Sequence, residues 1–138
     1  MSTRKTDRHA VGALFRAAAT GRIALGLRSC GCGNPHTYGP IGGEIDPGEM
    51  VIEALAREMR EELGTDMRGL PLEKIDVFVK PHFLYTTYLV HVENEFEPED
   101  LNWENEHLAW FSLDDLPANL HPGFRVSVAK PDIMARLR

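Results

Sequence analysis

A chain of 138 residues has the size of one ordinary domain, which excludes a protein with separate cofactor and substrate domains. Hydrophobic residues make up 43% and charged residues 26%, so the composition predicts a folded domain and not a disordered chain. The formal net charge of -6 argues against a protein that coats nucleic acid or an anionic membrane. We expect a single domain over residues 1–138, with a polar tail over about residues 1–9.

The cysteine positions and the hydropathy of the chain indicate in which cellular compartment we expect the protein. Cys30 and Cys32 are one glycine apart, which is too close for an ordinary disulfide, and no second ligand pair completes a zinc site, so we interpret them as free thiols. No charged-then-apolar leader opens the chain, and no apolar run approaches the roughly 18 residues that span a bilayer. These features predict a cytoplasmic protein without a membrane or nucleic-acid partner.

The first elements in chain order are two β-compatible runs, residues 10–16 and 23–28, on either side of a turn at residues 19–21. They predict a hairpin. Residues 29–48 contain six glycines and three prolines, which makes regular structure improbable over most of that stretch. A loop of this length in a small domain usually carries function.

Residues 50–63 have the period of a helix, and Gly64 stands where a glycine would end it. Two strands are predicted next. Residues 75–80 alternate apolar Ile75, Val77 and Val79 with Asp76, Phe78 and Lys80, and residues 83–92 are rich in aromatic and β-branched residues. The acidic stretch at 93–106 predicts an exposed loop. A short strand at 108–111, a turn at 114–117 and a final helix interrupted or restarted at Pro131 complete the chain.

The helix carries a cluster of acidic residues. Glu58, Glu61 and Glu62 occupy an arc beside the apolar arc of Ile52, Leu55, Met59 and Leu63. Three carboxylates at this spacing repel one another, so a positive charge should compensate them. Arg57 meets part of that need, and a salt bridge from Arg57 to Glu49 would fix the glycine loop against the helix. Oxygen ligands at this density suit Mg²⁺ or Mn²⁺ better than zinc.

The spacing of this segment resembles the signature box of the Nudix hydrolases, the MutT-like pyrophosphohydrolases of nucleoside diphosphates linked to another moiety. The positions that carry the resemblance are Gly43, Glu49, Arg57, Glu58, Met59, Glu61, Glu62 and Gly64. The likeness extends over nearly the whole chain from about residue 10, including the segment 110–117. Three positions depart from the usual pattern, namely Thr65, Ile41 and Tyr38. None removes a metal ligand, so they affect substrate fit and packing more than catalysis.

The resemblance implies an α/β/α sandwich around a mixed β-sheet and hydrolysis of the diphosphate linkage in a nucleotide derivative. It implies that Glu58, Glu61, Glu62 and the backbone carbonyl of Gly42 bind Mg²⁺, with Mn²⁺ as an alternative. Arg57 and Glu49 would be the orienting pair. A carboxylate free of metal binding could take a proton from the attacking water, and the candidates are Glu58 first and Glu104 or Glu106 second.

Each of these assignments has a simpler alternative. The three helix carboxylates could form a solvated face paired with Arg57 and Arg60. Gly42 and Gly43 could mark a turn that needs a positive φ. Glu104 and Glu106 lie in an acid-rich loop, where most carboxylates only keep the surface hydrated.

Substrate contacts are suggested at Arg28, Tyr38, Pro81 and Asn119. Arg28 could clamp a phosphate or be an edge-strand charge, and Tyr38 could stack on a base or pack in the core. Pro81 and Asn119 have offsets that resemble those of ADP-ribose pyrophosphatases and antimutator nucleotide pyrophosphatases. Their alternatives are a strand-connecting proline and a helix cap or turn, and the cap or turn is favoured for Asn119.

The resulting hypothesis is a Mg²⁺-dependent pyrophosphohydrolase of a small nucleotide, with ADP-ribose and oxidised nucleoside triphosphates among the candidate substrates. The rival is a catalytically weak Nudix-fold sensor that binds nucleotides. The oligomeric state stays open, a homodimer included.

Overall fold

The computed structural model describes residues 7–138, over which it has seven strands and three helices. Their bounds are β1 Arg8–Ala17, β2 Ile23–Arg28, β3 Tyr38–Gly39, β4 Ile41–Glu44, α1 Val51–Leu63, β5 Leu72–Lys80, β6 Phe83–Val92, β7 Asn105–Phe111, α2 Pro122–Val128 and α3 Pro131–Leu137. Of the expected polar tail, residues 1–6 lie outside the described residues, whereas Arg8 and His9 already belong to β1.

The strands form one mixed sheet. The predicted hairpin is confirmed, because β1 and β2 pair antiparallel. Strand β6 lies on the other side of β1 and runs parallel to it, and β5 pairs antiparallel with β6 at the edge. Strand β4 also pairs with β1, while β3 and β7 pair with β2. The sheet therefore brings the glycine-rich segment of β4 and the start of β7 to the same region as β1 and β2.

Hydrophobic residues are buried on both faces of this sheet. On one face, Leu55, Met59 and Leu63 of α1 pack against Val11 and Phe15 of β1. On the other face, α2 and α3 contribute a second cluster with strand residues. The alternation of side chains along β1 explains the two clusters, since successive residues point to opposite faces. This arrangement confirms the expected α/β/α sandwich around a mixed sheet.

Some details differ from the sequence-based expectations. The glycine-rich stretch contains the short strands β3 and β4. In β5, Ile75 is buried, but Val77 and Val79 are exposed. The two valines lie on the face of the sheet that α1 packs against, and α1 does not reach as far as this edge strand. Strand β7 begins at Asn105, so the acidic loop is shorter than expected. Pro131 starts a separate helix, as predicted, and residues 7–138 include no helix with the length and apolar character needed to cross a membrane.

Candidate active site

Helix α1 carries two of its acidic residues inside its buried face. The helix ends at Gly64, as predicted, and Gly64 has the left-handed conformation with φ 68°. Glu58 is 7% exposed and Glu62 only 1%, whereas Ile52, expected in the apolar arc, is 42% exposed. At about 100° per residue, the centre of the buried arc coincides with the direction of Glu62. The expectation that the acids lie beside the core is therefore wrong for Glu58 and Glu62, which are part of it.

Arg57 joins the loop before α1 to the helix. Its guanidinium binds the Glu49 carboxylate in a bidentate manner, with Nε–Oε2 2.8 Å and Nη2–Oε1 3.0 Å. It also donates to the backbone carbonyl of Glu44 and to the carboxylates of Glu58 and Glu61. Hydrogen bonding to Arg57 lowers the pKa of Glu49 to about 2. The predicted salt bridge is confirmed, and it holds the glycine loop against the helix.

Glycine is required at two adjacent positions of β4 by close approach. A Cβ at Gly43 would lie 2.6 Å from Glu58 Oε1, and one at Gly42 would lie 1.9 Å from the backbone carbonyl oxygen of Val11. Neither residue has a positive φ, and both pair with β1. The alternative of a turn that needs positive φ is therefore wrong. The glycines let α1 and β1 approach β4 closely.

Two other acids, the buried Glu58 and the half-buried Glu104, lie close to Glu62. Burial, together with the charges of Glu104 and Glu58, raises the pKa of Glu62 to about 9. Burial also raises the pKa of Glu58. Asn105 Nδ2 donates to Glu62 Oε1 at 3.0 Å, while Glu62 Oε2 has no hydrogen-bond partner among the described residues. Such a buried, unpaired carboxylate oxygen is costly unless a cation or proton satisfies it.

The third helix carboxylate has different surroundings. The Glu61 side chain is 54% exposed and accepts a hydrogen bond from Arg57 Nη1 at 3.1 Å. The three carboxylates predicted to bind metal therefore do not form one uniform set. Glu58 and Glu62 are buried with Glu104 nearby, and Glu61 lies on the outer side of the helix.

A cleft of about 570 Å³ opens between the sheet and α2. Alternate residues of β1, β5 and β6 form its floor, and residues of α2 form one wall. Gly42, Gly43 and Glu104 line the cleft near the acids, and Arg28 also lines it. The cleft thus brings cationic side chains and one acid of the group, Glu104, to one cavity of the size that small ligands occupy.

The remaining candidates for substrate binding differ in whether they reach the cleft. The Arg28 side chain reaches the cleft and donates from Nε to the Gly33 carbonyl at 2.6 Å. Tyr38 packs edge to face on Phe111, with ring centroids 5.0 Å apart, and contacts the α2/α3 core cluster. Pro81 lies exposed in the β5–β6 turn. Tyr38 and Pro81 are not among the cleft-lining residues described.

Two further candidates also lie apart from the cleft. Asn119 is exposed, and its Nδ2 donates to the His36 carbonyl at 2.9 Å, so it ties two loops together. Glu106 is exposed on β7, with Oε2 4.0 Å from His36 Nδ1. Of the two acids proposed from the loop before Trp110, the structure places Glu104 beside Glu62 and Glu106 on the surface.

Sequence reasoning did not single out Asn105. Its amide contacts a carboxylate that is 43 positions away in sequence, and no local spacing signals such a contact. Cys30 and Cys32 are free, as expected, and Cys32 Sγ lies 3.5 Å from the Glu104 carbonyl.

The donor set suits a hard divalent cation in its chemistry. Over residues 7–138, no three His, Cys, Asp or Glu side chains are already arranged around a common metal position. The unpaired Oε2 of Glu62 and the neighbouring carboxylates of Glu58 and Glu104 nevertheless supply the oxygen ligands that Mg²⁺ and Mn²⁺ prefer. Binding of a cation would also relieve the repulsion between these acids.

Comparison with known proteins identifies the family. A NUDIX domain model matches residues 6–130, and the chain therefore belongs to the NUDIX family. The fold agrees, since the crystal structure of a MutT NUDIX hydrolase from Burkholderia pseudomallei has a TM-score of 0.71 at 30% identity, over 90% of this chain and 97% of that one. RenU, a Nudix hydrolase from M. smegmatis, has a TM-score of 0.74 at 18% identity, over 96% and 87%.

Two curated relatives share part of their sequence with this chain. The NAD-capped RNA hydrolase NudC of Stutzerimonas stutzeri is 34% identical over 87 residues, which is 61% of this chain and 30% of that protein. The oxidized purine nucleoside triphosphate hydrolase of Danio rerio is 31% identical over 101 residues, or 70% of this chain and 62% of that protein. The chain thus spans less than a third of the length of the NudC relative.

Proposed function

We propose that this chain is a Mg²⁺-dependent pyrophosphohydrolase that cleaves the diphosphate linkage of a nucleotide derivative. The observation that carries the proposal is the buried Glu62 carboxylate, whose Oε2 is unpaired and which lies close to Glu58 and to Glu104, a residue that lines the cleft. Membership of the NUDIX family supports it, as do the names of the relatives, which are hydrolases of nucleotide-containing compounds.

Glu58 and Glu62 would hold the metal with the Gly42 carbonyl, and the exposed Glu61 would join them only by turning away from Arg57. When bound, a divalent cation neutralises the diphosphate, stabilises charge on the leaving oxygen and lowers the pKa of an attacking water. Arg57 would orient Glu58 through the hydrogen bond from Nη1 and keep the loop in place through Glu49.

The proton of the attacking water would pass to a carboxylate close to the cleft. Glu58 remains the first candidate if Glu62 and the Gly42 carbonyl hold the metal without it. If Glu58 binds the metal, Glu104, which lines the cleft, is favoured over the exposed Glu106. Arg28 would bind a phosphate of the substrate, because its side chain lines the same cleft. The proposed roles of Tyr38, Pro81 and Asn119 in binding substrate have weaker support, since their side chains lie outside the cleft lining.

The substrate class is a small nucleotide derivative, with ADP-ribose and oxidised purine nucleoside triphosphates as the first compounds to test. NAD-capped RNA belongs in the same panel because of the NudC relative. A net charge of -6 favours the small compounds, since a long polyanion would be repelled outside the metal site.

The test compares the parent protein with Glu62→Gln on this panel, in Mg²⁺ and in Mn²⁺, with products identified by chromatography so that the cleaved bond is known. Glu97→Gln is the matched control, because it removes a carboxylate from the exposed acidic loop. We expect Glu62→Gln to lower kcat/KM at least 30-fold, or about 2 kcal/mol, and Glu97→Gln to stay within threefold.

Activity of Glu62→Gln within threefold of the parent would contradict the assignment of the site. Calorimetric binding of a panel compound by the parent, with no product after hours in either metal, would instead indicate the nucleotide-sensing module.

A further inference from the structure

The neutral side chain of Asn105 donates a hydrogen bond to Glu62, the most buried carboxylate of the acidic cluster. Asn105 is 8% exposed and Glu62 is 1% exposed, and the hydrogen bond between Asn105 Nδ2 and Glu62 Oε1 measures 3.0 Å. This bond occupies one carboxylate oxygen and leaves Oε2 without a partner among the residues described. The amide therefore distinguishes the two oxygens of the same carboxylate.

The backbone around Asn105 fixes where its amide can lie. Asn105 is the first residue of β7 and pairs with Arg28 across an irregularity in the β2–β7 register. Just before it, the Glu104 carbonyl accepts a hydrogen bond from the Ser29 backbone N–H at 2.9 Å. These main-chain bonds attach the start of β7 to the end of β2.

Gly26 provides the space that the Asn105 side chain occupies. A Cβ at Gly26 would lie 2.8 Å from Asn105 Oδ1, closer than real Cβ contacts. Gly26 has no positive φ, so its lack of a side chain is explained by this close approach and by the approach of Ile41. The site is thus built to hold an amide next to Glu62.

A neutral amide side chain suits this position better than a cationic side chain would. Asn donates one hydrogen bond without bringing a charge, whereas Lys or Arg would neutralise the carboxylate that must bind a metal. Residues that hydrogen-bond to a metal ligand orient it, and their loss typically lowers metal affinity about 10- to 100-fold.

We propose that Asn105 is a positioning residue that orients Glu62 so that Oε2 is free to bind the divalent cation. The proposal rests on the proposed function, because it takes Glu62 as a metal ligand. In this role Asn105 would act through Glu62 and would not itself bind the metal or the substrate.

The experiment measures Mn²⁺ binding directly, by calorimetry without substrate, in the parent, Asn105→Leu and Thr86→Val. Leucine resembles asparagine in shape but cannot donate a hydrogen bond. Thr86→Val is the matched control, because it removes a buried polar group from β6 at a position outside the cleft lining. Thermal unfolding of each variant reports whether it folds, and Asn105→Ala replaces the leucine variant if that one does not.

We expect Asn105→Leu to raise the Kd for Mn²⁺ at least tenfold, Asn105→Ala at least fivefold, and Thr86→Val less than twofold. With the substrate found in the panel, kcat of the Asn105 variants should fall and recover in part at high metal concentration, with KM within twofold. If Asn105 had a purely structural role, a high metal concentration would not restore kcat.

An Asn105 variant that folds and binds Mn²⁺ within twofold of the parent would overturn the positioning role and leave the proposed function standing. Failure of the parent itself to bind Mn²⁺ would instead contradict the metal site, and with it both proposals.

Discussion

Replacing Gly43 with alanine should displace the Glu58 carboxylate, which we propose to be part of the active site, without changing its charge. The new Cβ would lie 2.6 Å from Glu58 Oε1 and 2.7 Å from Oε2, whereas ordinary contacts of this kind begin at 3.4 Å. The Glu58 carboxylate must therefore withdraw by roughly 0.4 to 0.8 Å to restore van der Waals contact. It has little freedom to do so, because it is buried and bonded to Arg57 Nη1 at 3.0 Å.

The size of the effect follows from how steeply catalysis depends on geometry. A misplacement of about 1 Å can cost on the order of 100-fold, so we expect Gly43→Ala to lower kcat 10- to 100-fold, or about 1.4 to 2.7 kcal/mol. Stability should change little, because alanine stabilises by about 0.4 to 1 kcal/mol through the unfolded chain and thereby offsets part of the local strain.

The assay is steady-state hydrolysis of the substrate identified in the panel, with thermal unfolding measured in parallel. Gly33→Ala is the matched control, since a Cβ there would meet nothing within 4 Å and its φ is not positive. We expect the control to retain kcat within twofold. A Gly43→Ala enzyme with kcat within threefold of the parent would refute the argument that Gly43 makes room for Glu58.

Two other predictions concern stability. Arg57→Lys should lower the free energy of unfolding in urea by about 1 to 3 kcal/mol, because lysine cannot keep the bidentate bond to Glu49. Arg60→Lys, on the exposed side of the helix, is the control and should change the free energy of unfolding by less than about 0.5 kcal/mol. Equal losses in the two variants would contradict this role for Arg57. Burial raises the pKa of Glu62 from 4.5 to about 9, so its contribution to stability is fully present below pH 4.5 and is lost as pH rises through 9. In EDTA, Tm of the parent should therefore fall between pH 5 and pH 9 more than Tm of Glu62→Gln, and parallel curves would contradict the raised pKa.

Local patterns were sufficient for much of the fold. Strands β2 and β6 have the predicted bounds, and α1 begins one residue later than predicted and ends at Gly64, because side-chain period and glycine punctuation are properties of neighbouring residues. Exposure of Val77 and Val79 could not be predicted, since it depends on β5 being an edge strand that α1 does not cover.

In the site, too, some contacts could be predicted from the sequence and others could not. The bond between Arg57 and Glu49 could be predicted because one side chain spans the eight positions between loop and helix. The unequal surroundings of Glu61 and Glu62 could not, because they depend on which side of α1 meets the sheet. The same holds for Asn105, which meets Glu62 only after β7 has paired with β2.

The most direct test of the metal site is crystallography of the protein soaked in Mn²⁺, with anomalous scattering to locate the ion. We predict an anomalous peak within about 2.5 Å of Glu62 Oε2, with oxygens of Glu58 and the Gly42 carbonyl completing the protein ligands. Mn²⁺ bound only in the acidic loop, or no peak beside Glu62 at saturating metal, would contradict it.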